Sequence, residues 1–276
     1  MLTHSVLTIK GSNDRLNDFK EEAEIADLPV YFYNSETVMN LKKVRTWIEI
    51  VHAGGYTIEE LASRSVVGNP NNPVMVGLIA KIAGIPFAVE ASIQGISISL
   101  AIRLISATTG KPYLAFVEQD RPVVGMRGCE FVAGRQDGTS IQSQAVNELI
   151  TEAHLDRVVN LTAEEKEKYK TKDGGIDYAA YLSDKISWYG GIHSSMGGVF
   201  EFVRVGEITL VVPDETIKEM HGKLTGDKHE KGMVLKIAPE EDILKYITGD
   251  PRVYYWLMVR KHGAPEYHPA FEAAMT

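Results

Sequence analysis

The sequence predicts an α/β protein, with a mainly parallel N-terminal α/β layer followed by a C-terminal α+β part that contains a β-hairpin. Three observations carry that prediction. The opening of the chain alternates short apolar runs with amphipathic stretches in β-α-β-α order, and such alternation builds parallel layers. Residues 161–175, LTAEEKEKYKTKDGG, are charged and poor in apolar side chains, which marks a boundary between a domain over 1–160 and one over 161–276. Beyond it, two apolar runs flank Gly206-Glu207, an order that suits a two-residue hairpin turn.

Each element follows from local pattern. Residues 5–11 read as a strand, and residues 13–27 as a helix with Leu16, Phe19, Ala23 and Ala26 at helical spacing. Residues 28–34 are a second strand. A helix over 36–53 aligns Val38, Leu41, Val44, Ile48 and Val51, and Gly54-Gly55 stops it. Thr57 and Glu60 form a capping box that opens a helix over 57–65. A turn at 69–73 leads to a helix over 74–84, a strand over 86–92 and a helix over 96–110. Residues 111–119 are a strand, introduced by Gly110-Lys111-Pro112, and 128–134 are another. Ser140 is placed to cap a helix over 140–154.

In the second half, Thr162 and Glu165 form another capping box, and 176–189 return to helical spacing. Residues 199–213 are the hairpin, 214–224 a helix, 232–238 a strand, 239–247 a short helix and 252–261 a final apolar strand.

Composition narrows the function classes. The 276 residues carry 44% hydrophobic and 24% charged side chains, the balance of an ordinary globular protein. A net charge of −8 argues against a general nucleic-acid or anionic-membrane surface. The single cysteine, Cys129, allows no intramolecular disulfide, which points to a reducing compartment. No signal peptide or membrane span is legible, so the cytoplasm is the expected location.

Three stretches hold candidate site residues. In the first, residues 125–144, a strand runs into a loop with Gly134, Arg135, Asp137 and Gly138, and Thr139 and Ser140 open a helix. Free amides at a helix N-terminus attract anions, hydroxyls add bonds, and Arg127 or Arg135 can clamp two oxygens. The second is Cys129, a nucleophile if Arg127 and an approaching His193 lower its pKa. The third is SWYGGIHSSMGG, 187–198, where four glycines surround His193, Ser194 and Ser195. His193 suits proton transfer near neutral pH, and the two serines suit an oxygen-rich ligand. The other histidines lack metal-ligand spacing, so no metal site is expected, and no cofactor is named.

Residues 92–119, with DGTSI following at 137–141, resemble the strand-helix-strand of type I phosphoribosyltransferases. The paired acidic residues that precede the diphosphate loop in that family are absent, and Phe131, Val132 and Ala133 stand instead. Residues 121–138 resemble quinolinate-type enzymes equally, so the sequence assigns no family.

The reading that results is a cytoplasmic enzyme acting on a small anionic metabolite, phosphorylated or carboxylated, by group transfer, since no dinucleotide fingerprint is present. The apolar final strand and the hairpin suggest a homo-oligomer. The alternatives are a non-catalytic ligand-sensing or assembly protein and, with three helices expected across 38–84, a helix-turn-helix regulator.

Overall fold

The structure is a computed structural model that describes residues 41–69, 72–121, 126–136, 140–193, 199–225, 232–247 and 250–265. The strands expected at 5–11 and 28–34 and the helix at 13–27 lie outside them. In chain order the elements are α1 (Lys42–Ala53), β1 (Ile58–Asn69), β2 (Asn72–Ile82), β3 (Val89–Ser106), β4 (Pro112–Arg121), β5 (Met126–Glu130) and β6 (Val132–Arg135). There follow α2 (Ile141–Thr151), α3 (Ala163–Lys168), α4 (Tyr178–Lys185), β7 (Ile186–His193), β8 (Val199–Val212), α5 (Asp214–Met220), β9 (Val234–Pro239), α6 (Ile243–Tyr246) and α7 (Pro251–His262).

The α/β class holds, but the sheet is not mainly parallel. Strands pair in the order β1-β2-β3-β4-β5, with β6 and β8 also on β3, β9 on β4 and β7 on β8. The β1–β2, β2–β3, β3–β4, β3–β6, β4–β5 and β4–β9 pairs are all antiparallel. The cause is that two expected crossover helices are strands. Residues 74–84 lie largely within β2, and 96–110 fall largely in β3. A run this apolar does not distinguish a helix from a strand covered on both sides, and from Ile98 to Leu104 every β3 residue except Arg103 is buried.

Other elements changed as well. Residues 57–65 enter β1 instead of forming a capped helix, which leaves no helix-turn-helix among the described residues of 41–84. Residues 187–189 belong to β7 instead of a helix, and β8 passes through Gly206-Glu207 without turning. The stretch at 252–261, expected as a strand, is the helix α7. Asp250 caps it by accepting from the Arg252 amide at 2.9 Å, Pro251 sits in its first turn, and Arg260, Lys261 and His262 end it. That is the ordinary distribution of helix start and stop residues. The cap and capping box at Ser140 and at Thr162–Glu165 form as expected.

The chain divides into two compact units, residues 1–96, 193–202 and 267–276, and residues 97–192 and 203–266. In the first unit, α1 packs Val44, Trp47 and Ile48 against Ile58, Leu61, Val76, Leu78 and Ile93 of the β1–β3 strands. In the second, Ala101, Leu114 and Phe116 of the sheet, with Phe131 between β5 and β6, meet Val253, Trp256 and Val259 of α7. Trp256 anchors that core. It is fully buried, its Nε1 donates to Glu207 at 2.9 Å, and Phe131 meets it edge-on at 5.5 Å. No helix among the described residues is long and apolar enough to cross a membrane.

Candidate functional site

The expected anion seat begins with α2. Ser140 is its N-cap. Its Oγ accepts from the Ser143 amide at 3.1 Å and lies 2.8 Å from Ser143 Oγ, while the Gln144 amide donates to Ser140 O at 3.0 Å. These donors of the first turn are therefore met locally, as in an ordinary cap. Asp137, Gly138 and Thr139 lie outside the described residues, as do Ser194 and Ser195.

Arg127 is engaged by the chain itself. Its guanidinium donates to Glu118 Oε2 at 3.1 Å, Asp120 Oδ1 at 3.1 Å and the carbonyl of Gly232 at 2.6 Å. Those bonds occupy the fork that was expected to clamp an anion. Arg135 ends β6 and is half-buried, opposite Ser97 of β3.

On balance the surroundings of Cys129 disfavour the thiolate, although Lys236 and Arg127 act the other way. Burial pushes its thiol pKa up, and the Glu118 carboxylate, with Oε1 at 4.0 Å from Sγ, pushes the same way. A nucleophilic thiol needs the opposite shift. His193 belongs to the first unit, whereas Cys129 belongs to the second. The His193 ring packs edge-on to Phe202 at 5.3 Å and tilted to Phe200 at 6.1 Å. Burial lowers its pKa, so the imidazole is neutral at pH 7.

The structure draws attention instead to the α2 face that covers β6, all within the second unit. Gly134 pairs with Ile98 of β3. A Cβ at residue 134 would overlap the Glu148 carboxylate, with Cδ at 2.5 Å and Cγ at 2.8 Å. Glu148 thus lies directly on the strand backbone. One turn earlier on α2, Gln144 donates its side-chain amide to Glu148 Oε1. One turn later, Glu152 is buried at the helix C-terminus, where its carbonyl accepts from the Thr225 hydroxyl. Residues four apart stand on one helix face, so Gln144, Glu148 and Glu152 form a line. Sequence reading passed over it because Glu148 and Glu152 look like the polar side of an amphipathic helix. The available signal was the i, i+4 carboxylate pair facing a glycine in a strand.

The arrangement has a definite chemical capacity. Carboxylate oxygens suit hard divalent cations, and Mg²⁺ is typically held by one or two carboxylates together with substrate phosphates. Among the described residues no group of three or more His, Cys, Asp or Glu could hold a metal ion, so any cation here would draw its remaining ligands from water or substrate.

No family model matches this sequence, and no curated protein does. A solved structure titled "Crystal structure of ADP compounds hydrolase" is similar over 75% of this chain and 92% of its own, at 14% identity and a TM-score of 0.45. A likeness that slight carries no argument about the chemistry of this chain. The group-transfer expectation is corrected: the groups on which it leaned are engaged within the chain, Arg127 with Glu118 and Asp120, His193 against Phe202, and the Cys129 thiol with its pKa pushed up.

Proposed function

We propose that the second unit is a hydrolase of small phosphorylated molecules, acting with a divalent cation held on the α2 face over β6. The observation that carries this reading is the Glu148 carboxylate, seated on the Gly134 backbone and bonded by Gln144, with Glu152 one turn away. Glu148 is the principal ligand. Gln144 fixes its rotamer, so less side-chain freedom is lost when a cation arrives. Glu152 adds negative charge on the same helix face. A cation bound there would polarise a phosphoryl oxygen and help water to attack phosphorus. Compounds containing ADP are reasonable first substrates to try, since the similar structure bears that name. The protein is incubated with Mg²⁺ or Mn²⁺ and a panel of nucleoside diphosphate derivatives and phosphomonoesters, and products are separated by chromatography. The expected result is turnover that falls at least ~100-fold in Glu148→Gln, in line with the loss of a metal ligand. Absence of turnover across the panel, or full activity in Glu148→Gln, contradicts the proposal.

A further inference from the structure

An aspartate followed by glycine can rearrange without an enzyme. The glycine nitrogen, unshielded by a Cβ on its own residue, attacks the aspartyl Cγ. The carboxyl hydroxyl leaves with the amide proton as water, and a succinimide ring closes. Water then adds to one of the two ring carbonyls. One route restores aspartate. The other gives isoaspartate, in which the chain runs through the side-chain carboxyl and the backbone gains a methylene. The sequence holds two Asp-Gly pairs, 137–138, which lies outside the described residues, and 173–174.

Asp173 is exposed, in a short hairpin between α3 and α4. Lys170 bridges Ile176, the Thr171 amide donates to Gly175 O at 3.0 Å, and the Gly174 amide donates to Thr171 O at 3.0 Å. Gly174 supplies the left-handed residue, at φ 88°, that a three-residue hairpin loop requires. The Thr171 hydroxyl donates to Asp173 Oδ1, and the same carboxylate accepts from the amides of Asp173 and Gly175. Each bond opposes one requirement of ring closure. Attack needs a free glycine nitrogen, and that N–H is held by Thr171 O. Loss of water needs a protonated carboxyl, and the Thr171 hydroxyl with the two amides holds the carboxyl below its ordinary range. Closure needs a carboxyl free to swing, and Thr171 tethers it.

We infer that Asp173-Gly174 is a dormant isomerisation site, kept as aspartate by the closed 170–176 hairpin with Thr171 as its guard. This is independent of the hydrolase reading. Conversion proceeds from the fraction of molecules in which the hairpin is locally open. The damage would reach α4. An added backbone methylene spoils the Lys170–Ile176 bridge and the bond from the Asp177 amide to Tyr169 O at 2.8 Å, next to the residue that caps α4 by accepting from the Ala180 amide at 2.9 Å.

The test ages the full chain at pH 6 beside Thr171→Val, which keeps the branched shape but loses the hydroxyl, and Thr171→Ser, which keeps the hydroxyl. A synthetic peptide of residues 168–178 gives the unprotected rate. Isoaspartate at 173 is read by proteolytic mapping and mass spectrometry. The parent is expected to convert at least tenfold more slowly than the peptide, Thr171→Val several-fold faster than the parent, and Thr171→Ser close to the parent. A parent as fast as the peptide, or a folded Thr171→Val no faster than the parent, overturns the inference. Should Thr171→Val fail to fold, Thr171→Ser decides: a rate near the parent's supports the guard, and a rate near the peptide's overturns it.

Discussion

Gly206→Ala tests whether β8 runs straight through a position that the sequence marks as a turn. The added Cβ would stand 2.9 Å from Trp188 Cε3, 3.1 Å from Cζ3 and 3.2 Å from Leu100 Cδ2. Leu100 is fully buried and has little room to yield. The Trp188 ring is tethered, since its Nε1 donates to Gln142 Oε1 at 2.8 Å and the Arg204 guanidinium lies 4.6 Å from its centroid. Overpacking of this kind costs about 1–3 kcal/mol. Replacing a strand glycine returns about 0.5–1 kcal/mol of backbone entropy. The net expectation is a loss of ~0.5–2 kcal/mol, or roughly 1–8 °C in Tm. Urea unfolding followed by tryptophan fluorescence, with circular dichroism as a second probe, measures it. A turn glycine would also resist alanine, so a double-mutant cycle with Trp188→Leu is needed. If the ring is the obstacle, Gly206→Ala becomes cheaper in the Trp188→Leu background by about 1 kcal/mol. A cycle that closes with no coupling, or an alanine variant as stable as the parent, refutes the reasoning.

Three further outcomes follow from the same structure. Arg252→Ala should cost about 3 kcal/mol in chemical denaturation, because it leaves Asp250, bonded at 2.8 Å, buried without its cation, and leaves Glu130, bonded at 2.7 Å, with Arg121 alone. A loss below ~1 kcal/mol would mean that the clasp is not formed. Cys129 should react slowly with iodoacetamide at pH 7 and faster as the pH rises, and Glu118→Gln should speed the reaction by removing a charge that disfavours the thiolate. Rapid alkylation at pH 7 would contradict this. For His193, burial lowers the folded pKa, so the unfolded chain binds its proton first on acidification. The stabilising contribution is therefore whole above the unfolded value near 6.5 and fades as pH falls through the lower folded value. His193→Leu should flatten that part of the stability curve measured from pH 7 to 5, and an unchanged slope would contradict the assignment.

How much could be read from the sequence depended on the kind of signal. Some punctuation was legible, although the capping box at Thr57–Glu60 and the turn at Gly206-Glu207 did not form. Ser140, Thr162 with Glu165, and Gly110 all act where a cap or stop was expected. Hydrophobic runs were not, because an apolar stretch has the same composition in a buried strand and a buried helix. Residues 96–104 did hold the distinction. Ile96, Ile98, Leu100, Ile102 and Leu104 alternate with Ser97, Ser99, Ala101 and Arg103, a period of two that belongs to a strand. At 252–261 the aromatic and β-branched content outweighed Asp250-Pro251 and the basic last turn, although the latter were the better guide. The charge of Arg127 and the thiol of Cys129 were visible in the sequence, but not their surroundings. What they face is set by strand pairing between residues far apart, Glu118 beside Cys129 and Asp120 beside Arg127, and one-dimensional spacing does not reveal it. The α2 face was invisible for a related reason: Gly134 and Glu148 meet only once β6 is covered by the helix.

The account stands or falls on whether the Glu148 face takes up a divalent cation. Calorimetric titration of the intact protein with Mn²⁺, beside the Glu148→Gln variant at matched stability, addresses this without any choice of substrate. Saturable binding that weakens at least about tenfold in the variant is the predicted result. Equal binding by both proteins, or none by either, would contradict it.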